Sequence, residues 1–125
     1  MWDYRAAITS VHDGDTVSAL LDCGFGYIRE NMHIRLLGVY APELTQTGGP
    51  ETRQFVVDWL ARYALIPLRF PFVVTTARGP RSDREITTLE RYVATVESLD
   101  RSHNLNMDVQ AFVTAQGYGG GIGTP

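Results

Sequence analysis

Three β-rich runs follow one another with only tight turns between them, and this pattern limits the possible folds more than any other feature. The runs cover residues 3–12, 15–22 and 27–39. Asp13-Gly14 separates the first two, and Asp-Gly is a strong signal for a tight turn between paired strands. The sequence CGFG over residues 23–26 separates the second run from the third and supplies two glycines for positive φ. Consecutive strands joined in this way form a meander.

A loop and an amphipathic helix are predicted to follow the meander. Residues 40–50 contain a proline and a Gly-Gly-Pro sequence, which is typical of a loop. Residues 51–65 place apolar side chains on one helical face, and Pro50 suits the first turn of that helix. Pro67 ends the helix, and a fourth strand is predicted over 68–76. Pro71 within that strand indicates an edge or a bulge.

The remaining elements complete a recognisable order. A fifth strand is predicted over 87–97, and a last helix runs from an Asn106 cap to about Gln116, with Gly117 in the stop position. The order β-β-β-α-β-β-α belongs to the α+β class, mainly β with helices. It is the layout of a five-stranded OB-fold barrel with two packed helices. The 125 residues are expected to form a single domain over 1–125, with a glycine-rich tail over 118–125.

Composition and charge exclude several classes of function. No run of about 18 apolar residues is present, so no membrane span is expected. The first residues lack the pattern of a signal peptide, so a cytoplasmic location is expected, with association with a virion as the alternative. Cys23 is the single cysteine, so no internal disulfide can form. The net charge of −3 disfavours a sequence-indifferent nucleic-acid coat but permits a local cationic site.

Acidic and cationic residues fall at the ends of the predicted strands, where a barrel could bring them to one rim. Two carboxylates and two guanidinium groups would suit the hydrolysis of a phosphodiester: carboxylates hold a hard divalent cation, a glutamate activates water, and arginines bind phosphate oxygens. Each residue also has a purely structural interpretation, as a turn former, a solvated strand end or a partner in an Arg35–Glu43 ion pair. The residues concerned are Asp13, Asp15, Arg35, Glu43 and Arg91.

Several of these residues lie in motifs that resemble the staphylococcal nuclease (thermonuclease-like) family, including variants carried by phages. The motifs are DGDTV, then IRLLGVYAPE, then an arginine in a later strand, then a helix that begins with LN and ends in QG. The resemblance covers roughly residues 8–118. It implies an OB-fold nuclease that binds Ca²⁺ or another divalent cation. The implied cation ligands are Asp15 and the carbonyl of Ala41, with Asp13 behind them. The implied catalytic residues are Glu43, which activates water, and Arg35 and Arg91, which bind the phosphate.

One departure from the family pattern leaves two hypotheses open. Tyr40 occupies the position of the family's second metal-binding carboxylate. The first hypothesis is a metal-dependent nuclease that cleaves DNA or RNA with low sequence specificity. The second is a weakened or inactive nuclease-like domain that binds nucleic acid, or that serves as a structural or interaction module, for example in a phage assembly. Nucleic acid is the expected partner in the first hypothesis, and no membrane partner is expected in either.

Overall fold

The computed structural model describes residues 2–77, 87–88 and 91–118, except for the side chains of residues 87, 88 and 91. Six strands and two helices occur within these ranges, and their bounds are β1 Trp2–Asp13, β2 Thr16–Asp22, β3 Ile28–Leu36, α1 Gly49–Tyr63, β4 Phe72–Thr76, β5 Thr87–Thr88, β6 Arg91–Ser98 and α2 Leu105–Gln116. Neither helix is long and apolar enough to cross a membrane.

Five of the strands close into a mixed barrel. β1 pairs antiparallel with β2 on one side and with β4 on the other, β2 pairs with β3, and β4 pairs with β6. A parallel pairing of β3 with β6 closes the ring. The predicted α+β class and OB-like barrel with two helices are therefore confirmed. The predicted fifth strand is divided, because the two-residue β5 folds back antiparallel onto the start of β6.

The barrel interior is filled by the inward-facing residues of each strand, as the period of two along a strand requires. Two helices cover the barrel with apolar faces, and Trp59 of α1 packs against Phe72 of β4 with 5.9 Å between ring centroids. Trp59 also donates a 2.8 Å hydrogen bond from Nε1 to Asp108 of α2. The largest fully buried side chains include Ile34, Leu36, Val17, Val74, Val96, Val56, Val109 and Leu105.

Two strands are shorter than the sequence indicates. β3 ends at Leu36 and not at residue 39, because the chain turns at Gly38, which has a φ of 75°. β4 begins at Phe72 and not at residue 68. Pro71 lies immediately before this strand, and since proline has no backbone N–H to donate to a ladder, it marks the start of pairing instead of a bulge within the strand.

The assignment of Asn106 as the cap of the last helix is wrong. Asn104 caps α2, and its side chain accepts a hydrogen bond from the backbone N–H of Met107. Asn106 is only 5% exposed and is bonded to three backbone groups. Its oxygen accepts from Val96 N, while its amide nitrogen donates to the carbonyls of Leu37 and Ala94. Asn106 therefore fixes α2 against β6 and against the chain that leaves β3.

Candidate functional site

Asp15 lies in the turn between β1 and β2. Asp13 and Thr16 pair across the hairpin, so Gly14 and Asp15 form the turn itself. The Asp13 carboxylate accepts a 3.1 Å hydrogen bond from Asp15 N, and Thr16 Oγ1 donates to Asp15 Oδ1 over 3.0 Å. The first bond fixes the backbone of Asp15 and the second fixes its carboxyl group, and the Asp15 side chain is 18% exposed. Asp15 is thus not a solvated strand end.

Arg35 meets Asp15 because of the register between β2 and β3. Arg35 pairs with Thr16, the residue that follows Asp15, and Leu36 N donates to the Asp15 carbonyl over 2.7 Å. The guanidinium Nη2 consequently lies 3.7 Å from Asp15 Oδ2, and Nη1 donates to the Leu36 carbonyl over 2.6 Å. The Arg35 side chain is 25% exposed, so one edge of the pair is open to solvent.

The electrostatics of Asp15 are unusual for a surface turn. Burial raises the pKa of the Asp15 carboxyl from 3.8 to about 6, and the neighbouring Asp13 carboxyl adds to the rise through a hydrogen bond and its like charge. The Arg35 guanidinium and the Thr16 hydroxyl oppose this rise but do not cancel it. Burial is the larger cause and the neighbouring carboxyl the smaller one, and a carboxyl pKa raised in this way is common at sites that bind a cation or move a proton.

The loop after β3 approaches the same turn. A Cβ atom built on Gly14 would lie 2.8 Å from the Ala41 Cβ, so the loop packs directly on the turn at this point. Ala41 is buried, as is Pro42, whereas the side chain of Glu43 is exposed. The Ala41 carbonyl as a cation ligand stays a prediction.

Glu43 and Arg35 do not form the structural ion pair that the sequence left open. Arg35 pairs with Asp15, and within the described part of the chain no ion pair joins it to Glu43. The Glu43 backbone is held instead by a turn, in which Glu43 N donates to Gln46 Oε1 over 2.8 Å and Gln46 N donates to the Glu43 carbonyl over 2.9 Å. The Glu43 carboxylate is thus free of a structural partner among the described residues, and its catalytic role stays a prediction.

For Arg91 the structure describes the backbone but not the side chain. Arg91 begins β6, and Val93, two residues later, is the parallel register partner of Arg35. The side chain of Arg91 lies outside the described residues. The prediction that it binds phosphate beside Arg35 is compatible with this register and stays a prediction.

The donor set for a cation is small. Among the described residues, no group of three or more His, Cys, Asp or Glu side chains could hold a metal ion. Asp15 and Asp13 provide two neighbouring carboxyl groups, and Tyr40, which is 38% exposed, brings no third. One or two carboxylates fit a cation that retains several water molecules and completes its coordination with a phosphate, as Mg²⁺ does. A Ca²⁺ ion usually takes six to eight oxygen ligands, for which this donor set is sparse.

Sequence patterns missed two residues that support the site. Thr16 donates to Asp15, and its place directly after Asp15 in the hairpin was an available signal. Gln110 of α2 accepts a 2.9 Å hydrogen bond from the backbone N–H of Tyr40. No local signal indicates this second contact, because 70 residues separate its partners.

Comparison of the chain with protein-family models and with curated proteins returned no match. The resemblance to the staphylococcal nuclease family therefore rests on the sequence motifs alone.

Replacing Gly49 by alanine is expected to displace Glu43. A Cβ atom at Gly49 would overlap the carbonyl group of Glu43, which is backbone and cannot rotate away. We expect Gly49→Ala to lower the free energy of unfolding by about 2 kcal/mol in urea denaturation, as overpacking does elsewhere. Thr45→Ala, an exposed change in the same loop, is the control and should stay within about 0.5 kcal/mol of wild type. Equal stability of the two variants would contradict this close approach.

Proposed function

We propose that this chain is a metal-dependent nuclease that hydrolyses phosphodiester bonds of DNA or RNA with low sequence specificity. The observation that carries the proposal is the Asp15–Arg35 pair, in which a carboxyl group with a raised pKa lies 3.7 Å from the guanidinium of a side chain that is 25% exposed. The Arg35 guanidinium lowers this pKa, but burial raises it by more. A bound cation would supply further positive charge and favour the ionised carboxylate.

Arg35 would bind the phosphate group. A guanidinium has five N–H donors in a planar fork. The hydrogen bond to the Leu36 carbonyl uses one of these donors, the ion pair with Asp15 helps to orient the plane, and other donors are left for phosphate oxygens. A fixed guanidinium stabilises the negative charge that develops on those oxygens in the transition state, without having to reorganise.

Asp15 would hold the cation, supported by Asp13 and by the Thr16 hydroxyl, with the Ala41 carbonyl as a neighbouring ligand. When bound, a divalent cation polarises the phosphate and lowers the pKa of a coordinated water. The small donor set favours Mg²⁺ or Mn²⁺ over Ca²⁺. The Glu43 carboxylate would orient the attacking water and accept its proton. Arg91, on the strand that pairs with β3, is proposed as the second phosphate-binding arginine.

The proposal is tested by cleavage of labelled single- and double-stranded DNA and RNA in the presence of Mg²⁺, Mn²⁺, Ca²⁺ or EDTA. A double variant, Asp15→Ala with Arg35→Ala, purified in the same way, measures contaminating nucleases. Cleavage that needs a cation and is lost in the double variant supports the proposal. Equal cleavage by both proteins under every condition would refute it.

A specific observation favours a second candidate function, a nuclease-like domain that binds nucleic acid or acts as an interaction module without catalysis. Tyr40 brings no carboxylate, and the described residues contain no group of three potential metal ligands. Nucleic-acid binding that survives EDTA, together with an absence of turnover, would favour this candidate. So would the appearance of cleavage in a Tyr40→Asp variant, because that variant restores a carboxylate to the site loop.

A further inference from the structure

The segment that joins β3 to the turn at Glu43 makes few backbone hydrogen bonds of its own. Leu37 N donates to the Ala94 carbonyl and Val39 N donates to the Leu36 carbonyl, both at the start of the segment. From Tyr40 to Pro42 the chain has no regular secondary structure. This is nevertheless the stretch that packs on Gly14 and leads to Glu43. Its position beside Asp15 and Arg35 must therefore come from other parts of the fold.

Two side chains of α2, one helical turn apart, hold this segment at its start and at its middle. Asn106 donates from its amide nitrogen to the Leu37 carbonyl over 2.9 Å, and Gln110 Oε1 accepts from Tyr40 N over 2.9 Å. Residues four apart lie on the same face of a helix, so one edge of α2 supplies both contacts. Asn106 is buried and also bonds β6, which makes it part of the core structure. Gln110 is only half-buried, and its hydrogen bonds among the described residues go to Tyr40 and Thr114 and to no strand.

The chemistry of the Gln110 contact fixes the orientation of its amide. Tyr40 N is a donor, so Gln110 must present its oxygen to it. The amide nitrogen then points to Thr114 and donates to Oγ1 over 3.3 Å, within α2. The Gln110 amide is thus bonded through both its oxygen and its nitrogen. Its partner Tyr40 is followed by Ala41, whose Cβ lies against the turn that carries Asp15.

We propose that Gln110 is a positioning residue, which holds the Tyr40–Glu43 segment against the Asp15–Arg35 pair by accepting the hydrogen bond of Tyr40 N. Its catalytic consequence rests on the proposed nuclease function, in which Glu43 acts on the attacking water. Gln110 touches no reacting atom and acts only through the loop. Loss of its oxygen should therefore misplace the Glu43 carboxylate and lower kcat more than it raises KM.

Three variants test this inference by two independent measurements, the exchange rate of the Tyr40 amide hydrogen and the kinetics of oligonucleotide cleavage with Mg²⁺. Gln110→Leu removes the acceptor, while Gln110→Glu has the same length and keeps an oxygen that can accept from Tyr40 N. Gln54→Leu is the matched control, since Gln54 is a glutamine on the exposed face of α1 whose bond to Asp58 stays within that helix.

In Gln110→Leu we expect the Tyr40 amide to exchange about tenfold faster and kcat to fall about tenfold, as the loss of one hydrogen bond implies. KM should change less than kcat. Gln110→Glu should keep the wild-type exchange rate and most of kcat, and Gln54→Leu should match wild type in both measurements. If Gln110 contributed only to the general structure of α2, glutamate would not restore the Tyr40 exchange rate and kcat together.

The inference is overturned if Gln110→Leu leaves the Tyr40 exchange rate at its wild-type value, or if Gln110→Glu is impaired as much as Gln110→Leu. Failure of the proposed function has a different signature. A wild-type protein without cleavage under any metal would remove the catalytic consequence, while the exchange rate of Tyr40 would still decide whether Gln110 holds the loop.

Discussion

Replacing Arg35 by lysine is expected to lower kcat/KM for phosphodiester cleavage by about 10²- to 10³-fold, the range found when one fixed donor to a developing oxyanion is removed. Lysine keeps the positive charge but loses the planar fork. A single ammonium group cannot donate to the Leu36 carbonyl, face Asp15 and still present a preoriented donor pair to a phosphate. Initial rates on a labelled duplex, at substrate concentrations well below KM, give this ratio directly.

Arg62→Lys is the matched control for this experiment. Arg62 lies in the last turn of α1 with its guanidinium over the ring of Tyr63, 5.4 Å from the centroid. The start of α1 is near Glu43, and Arg62 is 13 residues beyond Gly49, or about 20 Å along the helix axis. Arg62→Lys should therefore retain wild-type kcat/KM. An Arg35→Lys variant that is folded and as active as this control would remove Arg35 from the mechanism.

The barrel could be predicted because its main signals are local. The Asp13-Gly14 pair marks a hairpin whose turn the structure places one residue later, at Gly14 and Asp15. Pro50 lies in the first turn of α1, as expected. Gly117 ends α2 in the left-handed region with a φ of 69°. Each signal depends on a few neighbouring residues, so one sequence was enough to establish the order of the elements.

Features that depend on contacts between distant segments could not be predicted in the same way. Asn104 and Asn106 are equally good helix caps by residue type. Only the burial of Asn106 between α2, β6 and Leu37 decides which of them caps the helix. The end of β3 is a similar case, because the apolar run continues to Val39 while the chain turns at Gly38.

The candidate site was predictable in its residue types more than in its contacts. The structure joins Asp15 to Arg35 by the pairing of Thr16 with Arg35, a register that the hairpin connection alone does not give, because the β2–β3 ladder shifts by one residue between Ala19 and Leu21. The Arg35–Glu43 pairing, equally plausible from charge, does not form within the described chain. The contact of Gln110 with Tyr40 could not be found from sequence, because it depends on how α2 docks on the barrel.

Replacing Asp15 by asparagine is expected to stabilise the cation-free protein above pH 6. The carboxyl titrates at 3.8 in the unfolded chain and at about 6 in the folded protein. Between these values the folded state binds more protons than the unfolded state, so the stability of wild type falls as pH rises from about 4 to about 6 and then levels off. Asparagine has no charge to bury. Its advantage at pH 8 is expected to be about 2 to 3 kcal/mol, from a shift of about two pKa units.

Urea denaturation in EDTA between pH 4 and pH 8 measures this difference. Near pH 4 the wild-type carboxyl is protonated in the folded state, so the two proteins should converge. Asp22→Asn removes one negative charge from the other end of β2, where the carboxylate accepts from Gly24 N. This control should change stability by less than about 0.5 kcal/mol.

Adding Mg²⁺ at pH 8 should reverse the order of the two proteins, because a ligand that binds only the folded state stabilises it in proportion to the logarithm of its concentration above Kd. Wild type should gain stability with each increment of Mg²⁺, and Asp15→Asn should gain little. A wild-type protein that is stabilised neither by Mg²⁺ nor by Mn²⁺ would show that the Asp15 carboxylate does not hold a cation. A stability difference between the two proteins that does not grow as pH rises from 4 to 6 would show that ionisation of Asp15 does not lower the stability of the folded state.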